Sequence, residues 1–214
     1  MSDRDHWDAV YSSAGSTVLP WETSCEPAEL AEFCHFIGPG AGVARVLEVG
    51  CGRGFNTIRL AALVGQVVAI DVSAAAVLEA RARVGRAATV LEGDVLEFAD
   101  AAGFDGIIDY SVFHHIPQVD WPRYVTSIAR LIRPGGVFAL VCYSDADVAY
   151  TNGEDSRVGD MGNVIYHPRR DDLSALFEPQ FVEIEYRSTT LGEARHHAAH
   201  FMVLRKSAQG SEIT

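Results

Sequence analysis

The 214-residue chain is poor in cysteine, short of basic side chains, and without a long apolar run. Its four cysteines, at 25, 34, 51 and 142, form no Cys-x-x-Cys pair. A tetrahedral zinc site needs soft ligands closely arranged, and this spacing offers none. The opening residues Met1-Ser2-Asp3-Arg4-Asp5-His6 are polar and no apolar signal segment follows them. No stretch reaches the roughly 18 apolar residues of a membrane span, so a cytoplasmic protein without membrane partners is expected. Lys and Arg total 17 against 29 Asp and Glu, a formal net charge of −12. That balance opposes unassisted contact with nucleic acid or an anionic membrane. Arg81, Arg83 and Arg86 are expected on a solvated helix face. The chain shows no internal repeat and no low-complexity linker, which argues against a second domain.

What is present suits one α/β domain. Residues of the apolar set make up 48% of the chain, enough for a substantial core. Short apolar segments alternate with helical patterns: strands at 45–49, 67–70, 88–91, 104–110 and 137–141, helices at 24–38, 55–64, 73–84 and 117–131. Strands that are apolar throughout fit a mostly parallel sheet covered on both faces. Residues 144–168 are polar and glycine-bearing and read as a long loop, the kind that usually carries function or disorder. A short helix at 171–177 and two closing strands, 181–186 and 200–204, complete the pattern. The organisation expected is an N-terminal extension over 1–43 able to form a lid, a core over 44–206, and a polar tail over 207–214.

The strongest local signal is Val46-Leu47-Glu48-Val49-Gly50-Cys51-Gly52-Arg53-Gly54, set between a strand and a helix. Glycines there allow a tight turn and let a ligand approach the backbone, beside the free N–H groups of the following helix. The pattern is not Gly-x-Gly-x-x-Gly, because Phe55 stands at its last position, and it carries no Gly-Lys-Ser/Thr. A pyrophosphate ligand is thereby disfavoured. Asp71 closes the second strand, where a carboxylate can accept hydrogen bonds from two vicinal ribose hydroxyls. Asp94 follows the third strand, placed to accept from an adenine amino group, with Val95 and Leu96 against the ring. Each acid could instead serve as a helix cap or turn residue.

These segments, in this order, resemble the class I S-adenosylmethionine-dependent methyltransferase family over roughly residues 44–142. Glu48-x-Gly50-x-Gly52-x-Gly54 is similar to its first motif, Asp71 to its ribose-binding acid, and Gly93-Asp94-Val95 to its adenine-binding segment. Phe104–Ile108 resembles its fourth strand and Arg130–Gly136 the turn before its fifth. The resemblance implies a three-layer, Rossmann-like sandwich on a seven-stranded, mostly parallel sheet with one reversed strand near the end. It also implies S-adenosylmethionine as the cofactor, held by Glu48, Gly50, Cys51, Gly52, Gly54, Asp71, Val72, Asp94 and Val95. Ser111 and Phe113, after the fourth strand, are expected beside it.

The acceptor is less legible. Trp7, Tyr11 and Trp21 interrupt the polar extension, either as part of a lid over an apolar acceptor or as anchors packing the extension onto the core. The Pro20-Trp21 segment resembles the extension of some thiol- and thiopurine-type members, which favours a small acceptor without choosing sulfur, oxygen or nitrogen. His114 and His115 are candidate general bases, as is His167, though each could equally be structural. Tyr150, Tyr166 and Arg169 are candidate acceptor contacts, Arg169 for a carboxylate. The run Arg195-His196-His197-x-x-His200 looks metal-like, but strand geometry need not make its side chains converge, so no metal is expected. The absence of an Asn-Pro-Pro-Tyr-like segment favours a metabolite over DNA. The rival readings are a peptide methyltransferase and a catalytically silent cofactor-binding module.

Overall fold

In a computed structural model the described residues are 3–15, 17–22, 26–192 and 197–207. Ser24, Cys25, Arg195, His196 and the tail from 208, all invoked above, lie outside them. The strands of the main sheet are β1 (Arg45–Val49), β2 (Gln66–Asp71), β3 (Thr89–Glu92), β4 (Phe104–Tyr110), β5 (Ile132–Tyr143), β8 (Phe181–Leu191) and β9 (His197–Lys206). A small hairpin, β6 (Ser156–Val158) with β7 (Val164–Tyr166), stands apart. The main sheet runs β3-β2-β1-β4-β5-β9-β8. The first five strands are parallel, and β9 is antiparallel to both β5 and β8. The expected seven strands and single reversed strand are therefore observed.

The two-residue period of a strand divides the core between the faces. Val46, Ile108, Ala139 and Val141 face one way, onto α2 (Ala28–Ile37) and α3 (Phe55–Leu63). Ala69 and Val90 on that side meet α4 (Ala74–Val84). Leu47, Ile107, Phe138 and Leu140 face the other way, onto α5 (Trp121–Leu131) and α7 (Arg170–Phe177). Three layers result. α2 packs closely because residue 106 is glycine: a Cβ there would lie 2.7 Å from Phe33 Cζ and 2.8 Å from Ile37 Cδ1.

Several expectations change in detail. The extension opens as a helix, α1 (Asp3–Ala14), which lies against α4. The helix expected from 24 begins at Ala28, with Pro27 in its N-cap place. Residues 144–168 are not one long loop: they hold a short helix, α6 (Val148–Thr151), and the β6–β7 hairpin. Strands of three residues each are too short to show a two-residue period, which is why the pattern missed the hairpin. The closing strands are longer than expected, since β8 is mostly exposed between its ends. Arg81 and Arg83 are exposed on α4, as expected, and each also donates from Nε to a backbone carbonyl, of Val90 and Arg53 respectively. Among the described residues, no helix is long and apolar enough to cross a membrane.

Candidate active site

The register of the central strands sets the site. Val49 stands level with Ile70 of β2 and Asp109 of β4, so Gly50, Asp71 and Ser111 emerge together at the carboxyl edge. β1 is also where chain order reverses, with β2 on one side and β4 on the other. Ligands of open α/β sheets bind in the crevice at such a switch point. A cavity opens there, lined by Glu48, Gly50, Cys51, Gly52, Arg53, Asp71, Val72, Asp94, Val95, Leu96, Tyr110, Ser111, His115 and Ile116, and roofed by Trp7, Tyr11 and Trp21.

The turn after β1 takes its shape from its neighbours. Gly50 has φ +65, and a Cβ there would lie 2.0 Å from Val112 Cγ2. Asp71 holds the turn, accepting the Gly52 amide at 2.8 Å through Oδ2 and the Ser73 amide at 2.9 Å through Oδ1. Burial raises the Asp71 pKa to about 6 against the pull of those hydrogen bonds. Glu48 is buried and accepts from Thr57 Oγ1; burial, with Asp71 nearby, raises its carboxyl to about 8. Asp94 Oδ1 accepts the Leu96 amide at 2.9 Å.

The turn after β4 rests on Asp109, buried among apolar residues. Its Oδ1 accepts the amides of Val112 at 2.8 Å and Phe113 at 3.3 Å, and its Oδ2 accepts from the Tyr124 hydroxyl. These bonds hold Ser111 in the left-handed region at φ +79. Burial raises the Asp109 pKa to about 6.

The roof is tied down at two points, through Asp8 and Arg53, and braced within itself by Trp21 and Tyr11. Asp8 Oδ1 accepts from Ser73 Oγ at 2.6 Å and from the Ala75 amide at 3.2 Å, so α1 caps the start of α4. Trp21 Nε1 donates to the Tyr11 hydroxyl at 3.1 Å. Arg53, from within the glycine turn, donates to the carbonyls of Gly15 and Thr17 and pairs with Glu22.

The structure brings together most of the residues the sequence singled out, but not all. Gly54 lies behind the turn, where a Cβ would press on Ala80 and Val84 at 3.2 Å. Phe113 is in the core, its ring 5.0 Å from Trp121 and 5.1 Å from Tyr124. Of the adjacent histidines, His115 lines the cavity and His114 does not: its ring is buried, and Nδ1 accepts the Tyr143 amide at 3.3 Å. A one-residue step within a short helical turn sends the two rings to different surroundings. His167 and Arg169 line a separate small recess with Trp121 and Asp172, and Arg169 pairs with Asp155. Tyr150 stacks 3.7 Å from His197, and Tyr166 packs 6.2 Å from Trp121. None of His167, Arg169, Tyr150 and Tyr166 lines the main cavity. His197 bonds Asp147, while His200 bonds Pro168 and Tyr186, so these two do not converge. Among the described residues, no group of three or more His, Cys, Asp or Glu is placed to hold a metal ion.

Sequence reasoning passed over Arg53, Asn56, Asp109, Tyr110, Pro117 and Asp120. Only Asp109 carried a usable signal, an acid that follows the Ile107-Ile108 pair inside a buried strand. The rest are assembled by the fold.

Comparison with known proteins agrees with this geometry. Residues 46–136 match the family described as a methyltransferase domain. A probable S-adenosylmethionine-dependent methyltransferase of Mycobacterium tuberculosis is 28% identical over 153 residues, covering 69% of this chain and 52% of that protein. The chain thus spans about half the length of the curated relatives it matches first. In fold it is similar to the 1,6-didemethyltoxoflavin-N1-methyltransferase of Burkholderia thailandensis, with a TM-score of 0.75 and 19% identity, covering 95% of this chain and 87% of that one. It is also similar to the N-methyltransferase NodS of Bradyrhizobium japonicum in complex with S-adenosylhomocysteine, with a TM-score of 0.73 and 18% identity, covering 94% and 99%. Residues 46–136 thus match a methyltransferase domain, and the chain as a whole is similar in fold to these methyltransferases.

Proposed function

We propose that the chain binds S-adenosylmethionine and transfers its methyl group to a small-molecule acceptor at sulfur, oxygen or nitrogen. The observation that carries this reading is the meeting, in one cavity, of the Gly50–Gly52 turn with the acids that end β2 and begin the turn after β3. The exposed backbone of a glycine turn admits a bulky ligand at close range. Asp71 and Asp94 present carboxylate acceptors suited to a ribose and an amino group, and Val72, Val95 and Leu96 supply apolar surface for a flat base. Glu48 lies at the base of the turn, where its buried carboxyl suits an ammonium group. When bound, the cofactor supplies an electrophilic methyl carbon on a sulfonium.

The chain's own contribution to the reaction is placement and exclusion of water. In-line displacement requires nucleophile, methyl carbon and leaving sulfur to be held in line, and orientation alone can supply much of the rate. Trp7, Tyr11 and Trp21 close the cavity above the turn, and aromatic faces suit both a cation and a flat acceptor. A small acceptor is favoured over a peptide because these rings roof the cavity and Arg53 ties the roof to its floor. Similarity to a protein named for a small heteroaromatic acceptor supports the same choice.

Untargeted metabolite profiling with the purified chain and methyl-labelled cofactor tests activity and acceptor together. Thiols and thiopurines belong in that panel because of the Pro20-Trp21 resemblance. Uptake of the cofactor without any labelled product would favour a silent binding module. Labelling of peptides alone would favour the peptide reading. No uptake of the cofactor would end the proposal.

A further inference from the structure

Helix α1 carries most of the roof. Trp7 and Tyr11 are one helical turn apart, and both line the cavity. The Tyr11 hydroxyl lies 2.8 Å from where a Cβ on Gly52 would stand, so α1 rests directly on the glycine turn. Asp8 follows Trp7 in sequence but does not line the cavity. It reaches the start of α4 instead.

Ser73 is where the contacts meet. Its hydroxyl donates to Asp8 Oδ1 at 2.6 Å and accepts the Ala76 amide at 3.2 Å, while its own amide donates to Asp71 Oδ1 at 2.9 Å. The Ala75 amide also donates to Asp8 Oδ1, at 3.2 Å. Ser73 is wholly buried. One residue thus joins the acid that ends β2 to the helix that bears the roof. The Ser73 hydroxyl and the Ala75 amide hold the Asp8 carboxyl below the usual carboxylate range. It is therefore ionised at neutral pH, and a negative charge suits a helix N-terminus.

α1 is otherwise lightly held. The buried residues beneath it, Tyr11, Leu19 and Ala76, form a small cluster apart from the two main cores. Its Arg4–Glu92 pair is exposed and adds little. Trp7 meets His115 edge-on at 5.0 Å. Arg53 holds the segment after α1 rather than α1 itself, through Gly15, Thr17 and Glu22. An element joined to the fold by few buried contacts opens ahead of the whole.

We propose that Asp8 is a positioning residue: through Ser73 it clasps α1, and with it Trp7 and Tyr11, over the cavity, so that S-adenosylmethionine enters and S-adenosylhomocysteine leaves when this clasp opens. A polar clasp suits that task, because water replaces each hydrogen bond it gives up. The clasp itself does not rest on the methyl-transfer reading, whereas the identity of the ligands it admits does.

Amide hydrogen exchange of the ligand-free full chain, read by mass spectrometry, tests the clasp without any ligand. Asp8→Ala is expected to speed exchange across α1 by about 2- to 30-fold, the worth of a lost helix cap, and to leave β1 and β4 unchanged. Asp8→Asn keeps an oxygen for Ser73 and Ala75, and is expected to stay within about 2-fold of the parent, since asparagine caps a helix about as well as aspartate. Unchanged exchange in Asp8→Ala, or a rise spread equally through the sheet, overturns the clasp. An equal effect in Asp8→Asn does so too, because Asp8 also acts on Asp71 through its charge. Passage of ligand is read by stopped-flow tryptophan fluorescence with S-adenosylhomocysteine. A gate speeds traffic in both directions, so Asp8→Ala is expected to raise association and dissociation rates together and leave Kd nearly unchanged. Unaltered rates, or a weaker Kd with association constant, overturn the gating. Failure of S-adenosylhomocysteine to bind the parent chain would instead remove the methyl-transfer reading and the gating with it, while the exchange result would stand on its own.

Discussion

Arg53 donates to the Gly15 carbonyl at 2.7 Å, so the glycine turn that floors the cavity also holds the segment that roofs it. The same guanidinium pairs with Glu22, and both side chains are almost wholly buried. Arg53→Met is expected to destabilise the chain by about 3–5 kcal/mol, because it leaves a buried carboxylate without its counter-charge. Arg53→Lys should restore little, since an ammonium cannot span two carbonyls and a carboxylate as the planar fork does. Urea denaturation of the three proteins measures this. Equal midpoints would show that the roof is held by other contacts.

Asp71 joins floor and wall by accepting two amides, from Gly52 and Ser73. Asp71→Ala is expected to weaken S-adenosylhomocysteine binding by about 1–3 kcal/mol, through loss of charged hydrogen bonds. Calorimetric titration at pH 7.5 checks it, with unchanged affinity ruling out the ribose-binding role.

Burial raises Glu48 to about 8 and Asp71 to about 6. A carboxyl with a raised folded pKa keeps its proton in the native chain after the unfolded chain has released it. Stability of the ligand-free chain therefore falls as pH rises from the ordinary carboxylate range to about 8. The buried histidines act oppositely, since burial lowers their pKa values, and their contribution is complete only about one pH unit above the unfolded value of 6.5. Between about pH 7.5 and 8 the decline should stand clear of them, with a slope of at most roughly 1.4 kcal/mol per pH unit for one proton. Urea midpoints across that range measure it, and Glu48→Gln should flatten the curve. A midpoint that climbs with pH would contradict the assignment.

His114 sits beside His115 in sequence but not at the cavity. His114→Ala is expected to cost about 2–4 kcal/mol of stability by opening a void in the core. Once a substrate is known, it should leave the pH profile of turnover unaltered at saturating cofactor. A shifted profile with native stability would return His114 to the chemistry.

The divided legibility of these neighbours has a physical cause. Strand segments such as Val46–Val49 and Phe104–Tyr110 announce themselves because burial on both faces demands continuous apolar residues. The helix expected from 73 is capped there, Ser73 accepting the Ala76 amide at 3.2 Å. The glycine turn, Asp71 and Asp94 are legible because their positions at strand ends bring them to one edge in any sheet of this order. The hairpin carrying Asn163 is not, since its strands are short and it meets His115 across 48 positions of chain.

The sequence alone determined the elements, their alternation, and which acids and glycines crowd the carboxyl edge, because those follow from local periodicity and chain order. Only the tertiary structure decided that Arg53 would reach Gly15, that His115 and not His114 would line the cavity, and that Asn163 would meet it. Such pairings depend on the direction of single side chains across distant segments, and no local pattern of polarity encodes that direction.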